Sequence, residues 1–179
     1  MLEIRPACPE DVPAVAAVVE ARSGWMELRG LPSWRGVAGD LAGQAAAVGT
    51  QMWVLTHRGR VIGFTTLAGD RPLWGWTSEE AGEDAFYLYT TCTHPAYRAC
   101  RPGSLIAWWA VDKAFAEGRA WVRRGCLSAG LVGYYTLQGF EVVHEVQRKN
   151  ALVYLMARRA QPVPELGRMF AAGGAAAVA

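Results

Sequence analysis

Between Ala85 and Phe140 the chain changes its hydrophobic period in an order that few folds accept. The run AFYLYTTCT alternates Phe86, Leu88 and Thr90 with Tyr87, Tyr89 and Thr91, the two-residue period of a strand. After the turn HPAYRACRPG the period lengthens. Leu105, Trp108, Val111 and Phe115 recur at three and four residues, while Asp112, Lys113 and Glu117 lie off that stripe, as in an amphipathic helix. A second strand, AWVRRGCL, and a closing segment, SAGLVGYYTLQGF, complete a β-turn-α-β-α unit. Because a helix-length crossover joins Ala120–Leu127 to Ala85–Thr91, the two strands are expected to run parallel.

The flanks extend this unit. Leu2–Pro6 reads as a short strand, and Pro9-Glu10-Asp11 opens a helix with acids in its first turn and Val12, Val15, Ala16 and Val19 as its buried stripe. That helix is expected to weaken at Ser23-Gly24, leaving Trp25, Met26 and Trp34 in a stretch broken by Gly30 and Pro32, either packed under a loop or walling a pocket. Val37–Val48 reads as an Ala-rich helix with Asp40 and Gln44 exposed. Met52–Thr56 and Val61–Leu67 read as a hairpin turning at Arg58-Gly59, with His57 a solvated turn histidine. Residues 69–84 read as a Gly/Pro-punctuated loop holding two Trp and five acids. Phe140–Gln147 and Ala151–Arg158 form an antiparallel pair around Lys149-Asn150, and a short helix is expected at Glu165–Ala171.

Composition narrows the classes. A chain of 179 residues suits one domain, read as residues 1–160 with an Ala/Gly-rich tail at 161–179. A net charge of +2 argues against a nucleic-acid partner, and the Arg pairs at 123–124 and 158–159 read as solvated strand ends. No apolar run reaches membrane-spanning length and the start MLEIRPACPED lacks a signal-peptide pattern, so a cytoplasmic protein without a membrane partner is expected. Cys8, Cys92, Cys100 and Cys126 have no metal-site spacing and read as reduced thiols, with no structural metal. The Ala, Gly, Trp and Arg bias points to a GC-rich bacterial genome.

Pro102 suits the first helical position, so the backbone N–H groups around Arg98–Gly103 should point out of the helix start, where Arg98 and Arg101 add charge. Such a turn attracts an anion, with pyrophosphate the natural ligand. The run His94-Pro95-x-Tyr97-Arg98-x-x-Arg101-x-Gly103 resembles the acyl-CoA loop of the GNAT N-acetyltransferases, whose pattern is Arg or Gln, two residues, Gly, one residue, Gly or Ala. Tyr135, four residues ahead of Gly139-Phe140, strengthens the resemblance, which covers roughly residues 2–159. Two places depart from the pattern: Arg101 stands where the first Gly belongs, and Ser128 where members often carry Asn.

The resemblance implies an α/β GNAT-like fold with a mixed sheet and splayed parallel central strands. It implies acetyl-CoA, or another acyl-CoA, as co-substrate, no metal, and direct transfer of the acyl group to a primary amine. The contacts it assigns to CoA are Thr91, Cys92, Thr93, Arg98, Ala99, Cys100, Arg101, Gly103, Ser104 and Ser128. Tyr135 falls at the family's acid position; the competing reading is that it packs beside Tyr134. Glu83 or Asp84 acting through water is the expected base, and His94 is read as part of the turn. Trp25, Trp34, Trp74 and Trp76, with Glu79 and Glu80, are the candidates to face a small-molecule amine, cationic or aromatic, the acids at 79–84 being equally readable as a solvated turn. The alternatives are a catalytically silent acyl-CoA-binding module and an acetyltransferase for a protein N-terminus or lysine; a homodimer is left open.

Overall fold

The computed structural model describes residues 1–69 and 74–172. In chain order the elements are β1 (Leu2–Pro6), α1 (Val12–Glu27), α2 (Ala38–Gly43), β2 (Met52–His57), β3 (Arg60–Ala68), α3 (Ser78–Gly82), β4 (Ala85–Thr93), α4 (Pro102–Ala116), β5 (Trp121–Cys126), α5 (Ala129–Thr136), β6 (Glu141–Arg148), β7 (Ala151–Arg159) and α6 (Pro164–Ala172). The strands form one mixed seven-stranded sheet in the order β1-β2-β3-β4-β5-β7-β6. The chain divides into two compact units, Met1–Thr66 with Thr90–Ile106 and the described part of Pro164–Ala179, and Leu67–Tyr89 with Ala107–Val163.

In the first unit β1, β2 and the start of β3 form an antiparallel ladder, turning at Arg58 (φ 52°) and Gly59 (φ 76°). Two consecutive positive φ values are what a tight hairpin turn requires. Val15, Val18 and Val19 of α1 pack with Met52, Val54 and Phe64, and Trp34 closes on the same core. Contrary to expectation, α1 does not weaken at Ser23-Gly24 but carries Trp25 and Met26 as helical residues to Glu27. Ser23 is buried there, and tertiary burial outweighs the ~1 kcal/mol that a helical Gly costs. The Ala-rich helix is shorter than Val37–Val48. It ends by Ala46, where the Thr50 hydroxyl donates to the Gln44 carbonyl at 2.7 Å and draws the chain away.

In the second unit β4 and β5 are parallel, paired from Ala85↔Trp121 to Leu88↔Arg124, and β5 pairs antiparallel with β7 and β7 with β6. The hairpin at Lys149-Asn150 has Lys149 at φ 49°. The segment expected to be a plain loop contains α3. Thr77 caps it, accepting from the Glu80 N–H at 3.2 Å while the Glu80 carboxylate accepts from the Thr77 N–H at 2.9 Å. This reciprocal pair is the T-x-x-E capping box, a signal present in the sequence. Asp70, Arg71, Pro72 and Leu73 of that segment lie outside the described residues.

Helix α4 begins at Pro102, as its missing N–H allows. Its buried face is Leu105, Ile106, Ala107, Ala110, Val111 and Ala114, whereas Phe115, expected on the buried stripe, is 52% exposed. The helix is apolar on nearly every side, so periodicity alone could not choose the face. The alanines, which let a helix approach its neighbours closely, occupy it.

Candidate active site

The first unit holds the arginine-bearing turn. Pro95–Cys100 forms a 3₁₀ turn capped by His94, whose Nδ1 accepts from the Ala96 N–H at 3.2 Å. Burial and the nearby Arg22 and Arg60 push the His94 imidazole below its usual range, so it is neutral and its ring nitrogen is free to accept. Arg101 then adopts φ 50°, ψ 49°, the left-handed conformation that glycine tolerates best. The resemblance pattern's Gly therefore has a backbone cause, and this chain meets the same geometry with an arginine. Contrary to the expectation from sequence, the donors there are not all free. The Arg101 N–H bonds the Arg98 carbonyl at 3.0 Å, and those of Ser104 and Leu105 bond the Arg101 carbonyl at 3.0 and 3.1 Å. Arg98 and Arg101 are exposed, whereas Gly103 and Ser104 are buried.

The same unit contains the end of β4. Thr90 sits at φ 44°, an outlier for a β-branched residue, and breaks the strand's regular course. Arg22 of α1, unremarked in the sequence, donates from Nε to the Thr93 carbonyl at 2.8 Å and from Nη2 to the Thr93 hydroxyl at 2.6 Å. Thr91 shares a 2.8 Å hydroxyl contact with Thr65. Gly63 makes this packing possible, since a Cβ there would lie 3.1 Å from the Cys92 carbonyl and 3.2 Å from the Thr93 methyl. Burial pushes the Cys92 thiol up to about 12, which removes it as a nucleophile at neutral pH.

In the second unit, helix α5 closes through the residues that carried the Tyr135-to-Phe140 resemblance. Gly139 takes φ 85°, the Gly139 N–H bonds the Thr136 carbonyl at 2.9 Å, and the Phe140 N–H returns to the Tyr135 carbonyl at 3.1 Å. That is a Schellman-type end with a buried Phe140 as its anchor, so the spacing has a structural cause. It fixes Tyr135, whose ring is 5.8 Å from that of Tyr134 and lies under the Arg124 guanidinium at 3.4 Å. Burial pushes the Tyr135 phenol up, and Arg124 pulls it back down without cancelling the rise. Ser128 stands exposed ahead of α5, its hydroxyl not used as a cap. Burial likewise raises the Cys126 thiol.

Arg123 and Arg124, expected to be solvated, are 2% and 6% exposed. Successive side chains of a strand point to opposite faces, and both faces of β5 are covered where Arg123 and Arg124 stand, so the two arginines are buried in different surroundings. Arg123 forms an ion pair with Glu83, donates to the Glu80 carbonyl at 2.5 Å and the Tyr87 hydroxyl at 3.0 Å, and lies over the Trp76 ring at 4.7 Å. Glu80 is 2.8 Å from His144 Nε2; desolvation pushes its carboxyl up, but Thr77 and His144 hold it below the usual range overall. Of the other pair, Arg159 is exposed, whereas Arg158 is partly buried and donates to the Gln138 carbonyl.

Other tryptophans expected to face an acceptor also carry the chain's own cations. Arg29 lies 3.9 Å and Arg22 5.0 Å from the Trp25 ring centre, and Arg148 lies 4.0 Å from that of Trp74. Trp34 belongs to the first unit's core margin. Glu79 and Asp84 are exposed. Among the described residues there is no group of three His, Cys, Asp or Glu that could hold a metal ion, and no helix is long and apolar enough to cross a membrane.

No protein-family profile matches the chain, and no curated protein matches it either. Solved structures do. An acetyltransferase of the GNAT family from Listeria monocytogenes superposes with a TM-score of 0.67 at 16% identity, covering 88% of this chain and 94% of that one. The fold is that of the GNAT acetyltransferases. A PaiA N-acetyltransferase from Thermoplasma acidophilum, solved in complex with coenzyme A, gives 0.63 at 17% identity over 89% of this chain and 99% of its own. A ribosomal-protein alanine N-acetyltransferase from Escherichia coli gives 0.60 at 15% identity over 92% and 97%. The GNAT fold has its central parallel pair here in β4 and β5. Their pairing stops at Leu88↔Arg124 although β4 runs on to Thr93 and β5 to Cys126.

Proposed function

We propose that the protein is an N-acetyltransferase that moves an acetyl group from acetyl-CoA to the primary amine of a small molecule by direct attack. The observation that carries this reading is the early end of the β4–β5 ladder, followed at once by Thr90 at φ 44°. Backbone N–H and C=O groups past the end of a parallel ladder can pair with the amides of an extended ligand, and a pantetheine arm has two such amides. The exposed guanidiniums of Arg98 and Arg101 suit a pyrophosphate by charge.

Tyr135 is the proposed acid for the departing thiolate. Its raised phenol keeps the proton at neutral pH, which a general acid needs. Glu83 is committed to the buried Arg123, so of the two carboxylates Asp84 is the better placed to accept a proton through water. The exposed acids Glu79 and Asp84 favour a cationic acceptor by charge; the Trp25, Trp74 and Trp76 rings, each already covered by an arginine, add less than their number suggests.

The test has two parts. Calorimetry should show acetyl-CoA binding, weakened tenfold or more (about 1.5–3 kcal/mol) in Arg98→Ala. A panel of small amines with acetyl-CoA should then release free thiol above hydrolysis. Absence of any acyl-CoA affinity would end the reading; tight binding with no turnover on small amines or on peptides would assign the protein to the silent-binder alternative, and turnover on peptides alone to the protein-acetylating one.

A further inference from the structure

The face of β5 formed by Val122, Arg124 and Cys126 is buried, and Arg124 is the charged residue on it. Its Nε has no hydrogen-bond partner. The guanidinium carbon lies 3.4 Å from the centre of the Tyr135 ring and 5.5 Å from that of Phe140. Arg5, Arg35, Arg123 and Arg168 pair with carboxylates, whereas among the described residues no carboxylate is paired with Arg124. Its neighbour Arg123, equally buried on the opposite face, has Glu83, so the strand pairs one of its two buried cations and leaves the other against aromatic rings. A buried guanidinium without a counter-ion is costly, and an apolar side chain at that place would be cheaper. Among the described residues, Arg124 and Cys126 of β5 and Tyr134 of its own helix act on the charge of Tyr135, and of these three Arg124 is the cation.

We propose that Arg124 is a positioning residue for Tyr135: stacked on the ring, it holds the phenol in one orientation and favours the phenolate that remains when the hydroxyl proton leaves. This rests on Tyr135 being the acid of the proposed acetyl transfer. In that step the amine nitrogen bonds to the thioester carbonyl carbon, the carbon–sulfur bond breaks with its electron pair going to sulfur, the Tyr135 proton moves to the sulfur, and the phenolate opposite Arg124 later regains a proton from water. The proton lost by the attacking amine goes to water in turn, so charge balances over the cycle. The counter-ion absent from the resting protein is thus made by the reaction, and the cost of burying Arg124 is offset when the anion forms.

Isotope-labelled tyrosine gives the test by nuclear magnetic resonance, with the Tyr135 signal identified by its loss in Tyr135→Phe. In Arg124→Met the phenol should titrate about one to three pH units higher than in the wild type, because an adjacent cation shifts an acid by that order, and Arg124→Lys should restore most of the difference. Arg124→Gln supplies the same comparison should methionine disturb the packing. With a competent amine, kcat should fall about tenfold or more in Arg124→Met at unchanged KM for the acyl donor, and the fall should nearly vanish in a Tyr135→Phe background. An unmoved Tyr135 titration, or losses that multiply in the double variant, would overturn the proposal. Should no amine be turned over, the acetyl-transfer reading fails by itself, while the titration still decides whether Arg124 governs the phenol.

Discussion

Glu83 separates a catalytic from a structural reading most sharply, and Glu83→Gln is the perturbation that tests it. The substitution keeps the side chain's size and one acceptor oxygen but removes the charge facing Arg123, whose side chain is 3% exposed. Removing one partner of a fully buried ion pair costs about 3–5 kcal/mol. Three features reduce that here. The Glu83 side chain is 39% exposed and therefore partly screened, the Gln oxygen can still accept, and Arg123 keeps the Glu80 carbonyl and the Tyr87 hydroxyl. A loss of about 1–2 kcal/mol follows, which for a domain of this size lowers Tm by about 2–8 °C. Thermal unfolding followed by circular dichroism reads it directly. Asp84→Asn is the control: the Asp84 carbonyl, not its carboxylate, accepts the Ala120 N–H at 2.9 Å, so stability should hold. A Glu83→Gln protein with wild-type Tm and a kcat reduced a hundredfold would refute the structural assignment and return Glu83 to the role of base.

At Arg101, Gly and Ala substitutions both remove the guanidinium, so their difference isolates the left-handed backbone; Arg101→Gly should be more stable than Arg101→Ala by about 1 kcal/mol, and equal stabilities would contradict the strain argument. The Arg5 guanidinium holds Asp11 at about 2, below its ordinary 3.8. A depressed acid stabilises the fold above its unfolded value, so about 2 kcal/mol of stability present at neutral pH should be lost as pH falls from 4 toward 2. Asp11→Asn should flatten that part of an acid-unfolding curve, and an unchanged curve would remove Asp11 as its source. Tyr135→Phe should keep fold and acyl-CoA affinity while kcat falls about 10²- to 10⁴-fold, with less loss for donors whose thiol is more acidic; near wild-type kcat where chemistry is rate-limiting would assign Tyr135 to packing.

The strand-turn-helix-strand order from Ala85 to Phe140, the hairpins at Arg58-Gly59 and Lys149-Asn150, and the Pro102 helix start were legible because each depends on local chemistry: period, turn residues, and a missing N–H. Helix α3 is equally local in origin, its Thr77–Glu80 box being a spacing present in the sequence. The Tyr135 and Gly139-Phe140 spacing was readable as a resemblance and acquires a cause in the α5 cap. What no local rule could supply was the surroundings of the arginines. Arg123 and Arg124 are adjacent in sequence, yet their strand sends one to Glu83 and Trp76 and the other to Tyr135, because successive side chains of a strand covered on both faces enter different environments. Arg22, 71 residues before Thr93, meets it only through the fold. The sequence determined which segments become strands and helices, since those preferences act within a few residues; the tertiary structure alone decided which charges are buried and what faces them, because that depends on partners brought together from distant parts of the chain.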